Sequence, residues 1–373
     1  MSRLRYSLLV TLCAVILPAH ASDPEARAWL ERMSRALSTQ NYDGRFFHLR
    51  QSRSESMRII HRVDKGQITE RLVSLDGSGR EIIRNEKEVI CYLPDKRVVL
   101  VEKRTDENSL VSALPVYNES LESLYKIERS GRIVKALGRR TQVIEVKPRD
   151  QYRYGYRLWL DQETAMPLKS QLCDNQGNVI EQILFAELNF RDRIPADEIK
   201  ASITGEGFKW LRQDETVPVR MANAVAGWNV ARLPAGFRLT TWRIQLIAGS
   251  PTPVRHLVYS DGLASVSVFI EPRDAQAAPM HGLAKVGAAF AYSRDLAGHQ
   301  VTAVGEVPAA TVEAIAAGVT RQNPDSAATV EEVLQLPAEP APVSRLSFSA
   351  RSTHGPLDRL YPLGLLPLRT TDV

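Results

Sequence analysis

Cysteine is scarce in this sequence, with three in 373 residues. Cys13 lies in an N-terminal apolar run, so only Cys91 and Cys173 belong to the body of the chain. Two cysteines are too few for the disulfide framework of a small secreted scaffold, and their spacing alone sets no bond geometry. A single bridge and two buried, unpaired thiols both remain open.

Long apolar runs are also missing, and the mean hydropathy of −0.22 excludes a polytopic membrane protein. The one notable run, residues 8–17, is too short to span a bilayer. It follows Arg3 and Arg5 and precedes small residues at 18–21. This order is typical of a secretory signal peptide, residues 1–21, cleaved after Ala21. We therefore expect an exported, soluble mature protein.

Catalytic and cofactor motifs are absent from the sequence. It contains no phosphate-binding glycine loop, zinc-protease motif or nucleophile elbow, so we predict no enzyme and no cofactor. No histidine has the spacing of a metal ligand pair, so no metal is predicted. His48 and His61 are interpreted as satisfied surface or edge residues. The net charge, +5 and only +3 without the signal peptide, is too small to indicate nucleic-acid binding.

Helix and strand signals predict the first domain, residues 22–193. Asp23, Pro24 and the apolar stripe that follows predict a helix ending before residue 41. Between residues 44 and 190, about eleven short apolar segments alternate with turn residues, which predicts antiparallel strands. Because so wide a sheet must curl, we predict an α+β fold whose first domain is a curved antiparallel half-barrel with packed helices.

A second, smaller α+β domain is predicted at residues 225–319. Asp261-Gly262 marks a hairpin, and Pro308 opens a last helix. Residues 284–298 are predicted to be helical. The polar stretch 194–224 is predicted to link the domains. The tail, 320–373, contains seven prolines and is predicted to be disordered or loosely attached.

Aromatic residues on predicted strands of the first domain favour a ligand surface. Tyr152, Tyr154 and Tyr156 have the spacing of one strand face, with arginines on the other. A curved sheet with such a lining favours an apolar cavity, although ordinary sheet packing explains the same spacing. The residues of this lipid-binding hypothesis are Phe46, Phe47, Tyr152, Tyr154, Tyr156, Arg153 and Arg157.

Several stretches resemble a known family. Residues 156–185 (YRLWLDQETAMPLKSQLCDNQGNVIEQILF) resemble the sheet-closing signature of periplasmic lipoprotein carriers. Three more stretches narrow the likeness: GWNVARLPAGFRLTTWR, HLVYSDGLASVSVFIEP and GHQVTAVGEVPAATVEAIA. Together they resemble the MucB/RseB family, periplasmic negative regulators of the envelope-stress sigma factor. The likeness runs from about residue 23 to residue 319, so the tail is an extension beyond the family pattern.

The resemblance implies that the second domain binds the periplasmic part of a membrane-spanning anti-sigma factor of the MucA/RseA type. Binding would protect that factor from site-one proteolysis, and lipopolysaccharide or another acyl lipid would release it. Interfaces concentrate their energy in buried aromatics, although core packing is the alternative for each ring. The candidate anchors are Trp228, Phe237, Trp242 and Tyr259.

Communication between the domains is assigned to the apolar residues of the linker. Phe208, Trp210 and Leu211 are predicted to act as a switch by docking on a domain face, or to pack there passively. The competing function is a periplasmic lipid or lipoprotein carrier that uses the first domain alone, and such a carrier would not need residues 225–319. A homo-oligomer is left open.

Overall fold

The computed structural model describes residues 23–50, 53–103, 114–115, 117, 120–212, 227–245, 254–273 and 281–321. The predicted signal peptide, and the predicted tail beyond residue 321, lie outside these ranges. Within them, no helix is long and apolar enough to cross a bilayer. No disulfide joins Cys91 to Cys173, and both are buried thiols. Burial raises the pKa of Cys173.

The N-terminal helix, α1 (Pro24–Thr39), begins where the sequence predicts. Asp23 caps it: its Oδ1 accepts a hydrogen bond from the backbone N–H of Glu25 at 3.0 Å. The buried face consists of Ala26, Leu30, Met33, Ala36 and Leu37. This face packs into the core of the first sheet, so the predicted helix and its apolar stripe are confirmed.

Twelve strands form the first sheet, eleven from residues 42–190 and one from the segment that follows. They are β1 (Tyr42–Arg50), β2 (Arg53–Asp64), β3 (Gln67–Ser74), β4 (Glu81–Arg84), β5 (Glu88–Leu93), β6 (Val98–Lys103), β7 (Tyr125–Ala136), β8 (Arg139–Pro148), β9 (Gly155–Asp161), β10 (Pro167–Cys173), β11 (Val179–Phe190) and β12 (Lys209–Arg212). A short helix, α2 (Leu121–Leu124), precedes β7. The order is β12-β6-β5-β4-β3-β2-β1-β11-β10-β9-β8-β7. All neighbours are antiparallel except β12 and β6.

The curved sheet packs around α1 and buries one large apolar core. Phe46 on β1 and Phe185, its partner on the neighbouring strand β11, lie in this core with ring centroids 5.6 Å apart. The first domain is therefore a curved antiparallel half-barrel with packed helices, as the sequence predicts.

A row of buried polar side chains crosses the inner face of this sheet. Tyr42, His61, Glu70 and Arg84 lie directly opposite one another on β1 to β4. Glu70 lies 2.8 Å from His61 Nδ1 and accepts a hydrogen bond from Arg84 at 3.2 Å, while Tyr42 stacks on His61. His61 is thus completely buried, and His48 is nearly so, beside Glu181. The interpretation of both as surface or edge residues is wrong, because carboxylates pair with them inside the domain.

The first part of the predicted linker lies on the other face of this sheet. Ile194 and Ile199 pack on Ile60. Further along, Phe208 joins a cluster around Val99, and β12 extends the sheet beside β6. Residues 194–212 are therefore held against the first domain. The rest of the predicted linker, 213–224, lies outside the described residues.

The second domain consists of two small sheets and a helix. Its elements are β13 (Trp228–Val230), β14 (Arg238–Gln245), β15 (Val254–Ser260), β16 (Ser265–Pro272), β17 (Gly282–Val286), β18 (Ala289–Leu296), β19 (His299–Gly305), α3 (Ala309–Gly318) and β20 (Val319–Arg321). The larger sheet has the order β14-β15-β16-β19-β18-β17, and β13 pairs with β20. The predicted hairpin at Asp261-Gly262 and the helix after Pro308 are confirmed.

The helix predicted at residues 284–298 is wrong, because this segment forms the hairpin of β17 and β18. Gly287 supplies the left-handed turn conformation, with φ of 59°. Burial then alternates along β18, with Ala289 and Ala291 inside and Phe290 and Tyr292 half-buried. The alanines favour a helix, but pairing with β19 determines the outcome.

Candidate functional site

The tip of the β15–β16 hairpin is shaped by the side chain of Asp261. Its Oδ1 accepts hydrogen bonds from the backbone N–H groups of Leu263 and Ala264, at 2.9 and 2.7 Å. Gly262 adopts φ of 98°, which residues other than glycine rarely adopt. The turn uses Oδ1 alone, so Oδ2 remains to contact the first domain.

Arg153 of the first domain meets that oxygen. Its Nε lies 3.1 Å from Asp261 Oδ2, and both side chains are 0% exposed. A second carboxylate, Asp150 of the first domain, lies 3.2 Å from Nη1. Nη2 donates a 2.6 Å hydrogen bond to the carbonyl oxygen of Ala235 in the second domain. We call the Asp261–Arg153 contact the interdomain ion pair.

Aromatic rings enclose the interdomain ion pair. The Arg153 guanidinium lies 5.6 Å from the ring centroid of Tyr125 and 5.5 Å from that of Phe237, one ring from each domain. Burial, reinforced by the negative charge of Asp261, raises the pKa of Tyr125 far above its ordinary value. Its hydroxyl therefore stays protonated and donates to Asp261 Oδ2 at 3.3 Å.

Three further contacts surround this pair. Tyr154 donates a hydrogen bond to the carbonyl oxygen of Ala288 at 3.2 Å, and Thr311 donates to that of Tyr152 at 2.7 Å. Gly236 approaches α2 so closely that a Cβ there would lie 2.5 Å from a methyl carbon of Leu124. The domains are thus in direct contact, with the hairpin tip at the centre.

Two open clefts lie beside the junction and share residues 174–176 of the β10–β11 turn. The first, of about 420 Å³, has walls from both domains. Its apolar lining includes Tyr154, Val179, Ile180, Phe290 and Pro308, with Lys285 as the cationic residue. The second, of about 560 Å³, belongs to the first domain and has both basic and acidic side chains in its lining. Its lining includes Tyr156, Arg157, Lys147, Arg149 and Cys173.

The residues of the lipid-binding hypothesis are not brought together in one cavity. Phe46 is in the core, and Phe47, on the other face of β1, is 40% exposed. Strand β9 begins at Gly155, so the predicted alternation does not run through Tyr152, Arg153 and Tyr154. Those three contact the second domain instead, so Arg153 lies between the domains and not among the lining residues of a first-domain cavity.

Tyr156 and Arg157 are the two members of that set that line the larger cleft. Arg157 is held by Glu145, whose carboxylate accepts a hydrogen bond from Nε at 3.1 Å. Burial raises the pKa of Tyr156, so its hydroxyl is neutral at physiological pH.

Of the four candidate partner anchors, three are buried in the second domain. Trp228, Phe237 and Tyr259 belong to its core, where burial raises the pKa of Tyr259 to about 12. A domain this small uses its large rings to fill its own interior. Trp242 differs, because 48% of it is exposed on the edge strand β14.

The three predicted switch residues lie on the first domain. Phe208 packs into the cluster around Val99. Trp210 is 43% exposed, and its Nε1 donates to the carbonyl oxygen of Gly205 at 3.3 Å. Leu211 is 41% exposed on β12.

Sequence reasoning missed the interdomain ion pair, because it assigned Asp261 to hairpin geometry alone. That assignment is correct for Oδ1 but leaves Oδ2 unexplained. Nothing in the local sequence connects this oxygen with Arg153 or Tyr125, which are distant in the chain. Among the described residues, no group of three or more His, Cys, Asp or Glu is arranged to hold a metal ion.

Comparisons with known proteins agree with this two-domain architecture. Residues 25–203 match the MucB/RseB N-terminal domain and residues 222–320 match the MucB/RseB C-terminal domain. The chain is 30% identical to the sigma factor AlgU regulatory protein MucB of Pseudomonas aeruginosa over 336 residues, 86% of this chain and 98% of that protein. It is 27% identical to the sigma-E factor regulatory protein RseB of Escherichia coli K12 over 325 residues, again 86% and 98% of the two chains.

Solved structures extend the similarity to the fold. MucB in the complex of Pseudomonas aeruginosa MucA and MucB superposes with a TM-score of 0.64 at 31% identity, covering 80% of this chain and 99% of that chain. MucB in complex with MucA(peri) gives a TM-score of 0.63 at 28% identity with the same coverage. Both the sequence models and the fold confirm the resemblance found in the sequence, and the chain belongs to the MucB/RseB family.

Proposed function

We propose that this chain is a periplasmic regulatory protein that binds the periplasmic part of a membrane-spanning anti-sigma factor. The observation that carries the proposal is the match, over both domains, to MucB as solved with MucA. The related proteins MucB and RseB are sigma factor regulatory proteins. The proposed role is non-catalytic: bound to the anti-sigma factor, the chain blocks site-one proteolysis and keeps the sigma factor inactive.

The carrier alternative is less well supported. It needs a first domain with a lipid site and has no use for the second domain. In this chain the second domain is a folded unit with its own core and matches the C-terminal family model over residues 222–320. A protein that keeps both units and joins them through buried charges fits a regulator better than a carrier.

The exposed part of β14 is the surface that we assign to the partner. Leu239 and Trp242 are 43% and 48% exposed, and they pair across the sheet with Tyr259 and Leu257, both in the core. Apolar surface therefore continues from the core to the edge strand. An edge strand also offers unpaired backbone groups to an extended peptide, so this edge suits a partner that adds a strand.

Titration of the mature chain with the periplasmic segment of the anti-sigma factor from the same genome tests this proposal. By calorimetry, the unsubstituted chain binds the segment. Trp242→Ala weakens binding by about 30-fold or more, the effect of losing an interface anchor. Trp210→Ala is the matched control, because Trp210 is similarly exposed but lies on the first domain. Absence of binding by the unsubstituted chain contradicts the proposed function, and equal losses in both variants contradict the assigned surface.

Release by lipid is the second part of the proposal, and the larger cleft is its candidate site. Lys147, Arg149 and Arg157 are the basic residues of its lining, which also contains the acidic Glu145, Asp150 and Asp174, and Tyr156 adds an aromatic wall. The basic side chains can bind an anionic headgroup, and the aromatic wall can contact an attached acyl chain. Native mass spectrometry with lipopolysaccharide is expected to show a bound species that Arg157→Ala weakens. A lack of bound lipid, together with no competition against the anti-sigma segment, contradicts this part.

A further inference from the structure

Charges buried between two domains hold them in one orientation. We infer that the interdomain ion pair is a reversible lock on domain orientation: it fixes the second domain against the first, and breaking it lets the second domain reorient while both domains stay folded. Asp261 and Arg153 come from different domains, and each side chain is 0% exposed.

Arg153 and Asp261 each keep a contact within their own domain when their ion pair breaks. Arg153 has a second counter-ion, Asp150, at 3.2 Å in its own domain, so loss of Asp261 does not leave the guanidinium without a carboxylate. Asp261 keeps the two turn hydrogen bonds to its Oδ1 when Oδ2 is released. The hairpin tip therefore retains its shape in the separated state, and the exposed carboxylate gains water.

While the domains are joined, some buried donors of Arg153 lack a well-aligned hydrogen bond. Within the described residues, Arg153 Nε and Nη1 are buried without an aligned hydrogen bond, although both are at ion-pair distance from carboxylates. Burying two charges costs solvation that their attraction barely repays, so such a pair sets geometry more than it adds stability. Separation gives those donors access to water. The two orientations are therefore close in free energy, as a reversible lock requires.

Apart from the hydrogen bonds from Arg153 to Ala235 and from Tyr125 to Asp261, which involve the ion pair itself, the polar contacts at the junction are modest. The side chains of Tyr154 and Thr311 each donate one hydrogen bond to a carbonyl oxygen of the other domain. Domain interfaces within one chain resemble transient interfaces, and relative motion is their default behaviour. Because Arg153 and Asp261 also bond across the junction to Ala235 and Tyr125, the interdomain ion pair is the contact whose loss changes the orientation most.

Through the smaller cleft, the lock can control partner binding, an argument that rests on the proposed function. Tyr154 and Val179 line it from the first domain, and Lys285 and Phe290 from the second. A segment of the anti-sigma factor that contacts both walls can do so only in the locked orientation. Opening the lock separates the walls and weakens binding without any change in the contacting residues.

Pulsed electron paramagnetic resonance on the full mature chain tests the lock directly. Nitroxide labels at Ile133→Cys and Leu283→Cys report the distance between the domains, because these positions are 49% and 46% exposed. Cys91 and Cys173 are buried, and a sample without the added cysteines measures any background labelling. Asp261→Asn keeps the Oδ1 acceptor of the turn and removes the charge facing Arg153. We expect it to widen the distance distribution at least about twofold.

Asp161→Asn is the matched control. Asp161 is another buried aspartate that pairs with an arginine, Arg139 at 2.8 Å, and accepts turn hydrogen bonds, but it lies wholly within the first domain. We expect its distance distribution to match that of the unsubstituted chain. A distribution unchanged by Asp261→Asn overturns the inference. Equal widening in both variants also overturns it, because the effect would then be general loss of stability.

Circular dichroism and thermal unfolding of both variants establish that each domain remains folded. The outcome is independent of the proposed function, because no partner is present in the distance measurement. If Asp261→Asn widens the distribution but the unsubstituted chain does not bind the anti-sigma segment, the lock stands and the proposed function fails. If binding occurs and the distribution does not change, the lock fails and the proposed function stands.

Discussion

Trp210 contacts Tyr92 edge to face, with ring centroids 6.1 Å apart and ring planes at 82°. This contact joins the segment after β11 to the sheet of the first domain, and β12 adds backbone pairing with β6. The path between the domains therefore begins as part of the first domain. Any signal through the linker has to pass through this docked segment.

The linker-switch hypothesis predicts a selective effect of Trp210→Ala. Loss of the ring frees part of the docked segment but touches no proposed partner residue. Affinity for the anti-sigma segment should therefore stay within about twofold. Release by lipid should be reduced, as measured by lipid titration of the preformed complex. Normal release, or equal loss of binding and release, would show that the segment only packs on the sheet.

A pair of glycine substitutions isolates the contact between the second domain and α2. Gly236 and Gly66 both have φ of +82°, so alanine has the same backbone strain at either position. At Gly236 the new Cβ also meets Leu124, whereas nothing lies within 4 Å of it at Gly66. We expect Gly236→Ala to lower the free energy of unfolding by about 1–3 kcal/mol more than Gly66→Ala, the cost of overpacking. Urea denaturation measures the difference, and equal losses would mean that Leu124 moves aside freely.

The buried row in the first domain predicts a large effect of Glu70→Gln. The substitution leaves Arg84 and His61 buried without their carboxylate, which costs about 3–5 kcal/mol of unfolding free energy. Glu187→Gln is the control: Glu187 pairs with Arg45 at 3.7 Å and both are largely exposed, so the expected loss is at most about 0.5 kcal/mol. Urea denaturation compares the two. Similar losses would refute an energetic role for the buried row.

Asp161 predicts a specific dependence of stability on pH. Burial opposes its ionisation, but hydrogen bonds from Arg139 and Thr164 outweigh burial and lower its pKa below 3.8. Because the pKa is lower in the folded state, ionised Asp161 stabilises the fold above about pH 4 and loses this effect as the pH falls through the lowered pKa. Asp161→Asn should be less stable at neutral pH, and its stability should fall less steeply on acidification.

Urea midpoints from neutral pH to about pH 3 measure that slope. Glu163→Gln is the control, because Glu163 pairs with the same Arg139 but its side chain is 83% exposed. Its stability should fall on acidification as steeply as that of the unsubstituted chain. If the stability of Asp161→Asn falls on acidification as steeply as that of the unsubstituted chain, the prediction is contradicted.

Local patterns in the sequence predict much of the fold, because they depend on neighbouring residues. Asp23 and Pro24 specify the start of α1, and Asp261-Gly262 specifies a hairpin. The β17–β18 hairpin is mispredicted because its alanines favour a helix and only pairing with β19 decides against it.

The site was harder to predict, because it depends on contacts between distant residues. Whether Trp228 or Trp242 is exposed is decided by the other elements of the second domain, and not by their own spacing. The role of Arg153 follows from a hairpin tip in another domain. Period-two spacing placed this arginine on a strand face, whereas strand β9 begins only at Gly155.

The rate of site-one cleavage tests the central claim most directly. The full-length anti-sigma factor is placed in membrane vesicles with its site-one protease, and cleavage is followed with and without the mature chain. We expect a saturating amount of the chain to slow cleavage at least about tenfold, because a bound segment is protected from the protease. Trp242→Ala at the same concentration should protect less than Trp210→Ala. A cleavage rate that the unsubstituted chain leaves unchanged would contradict the account.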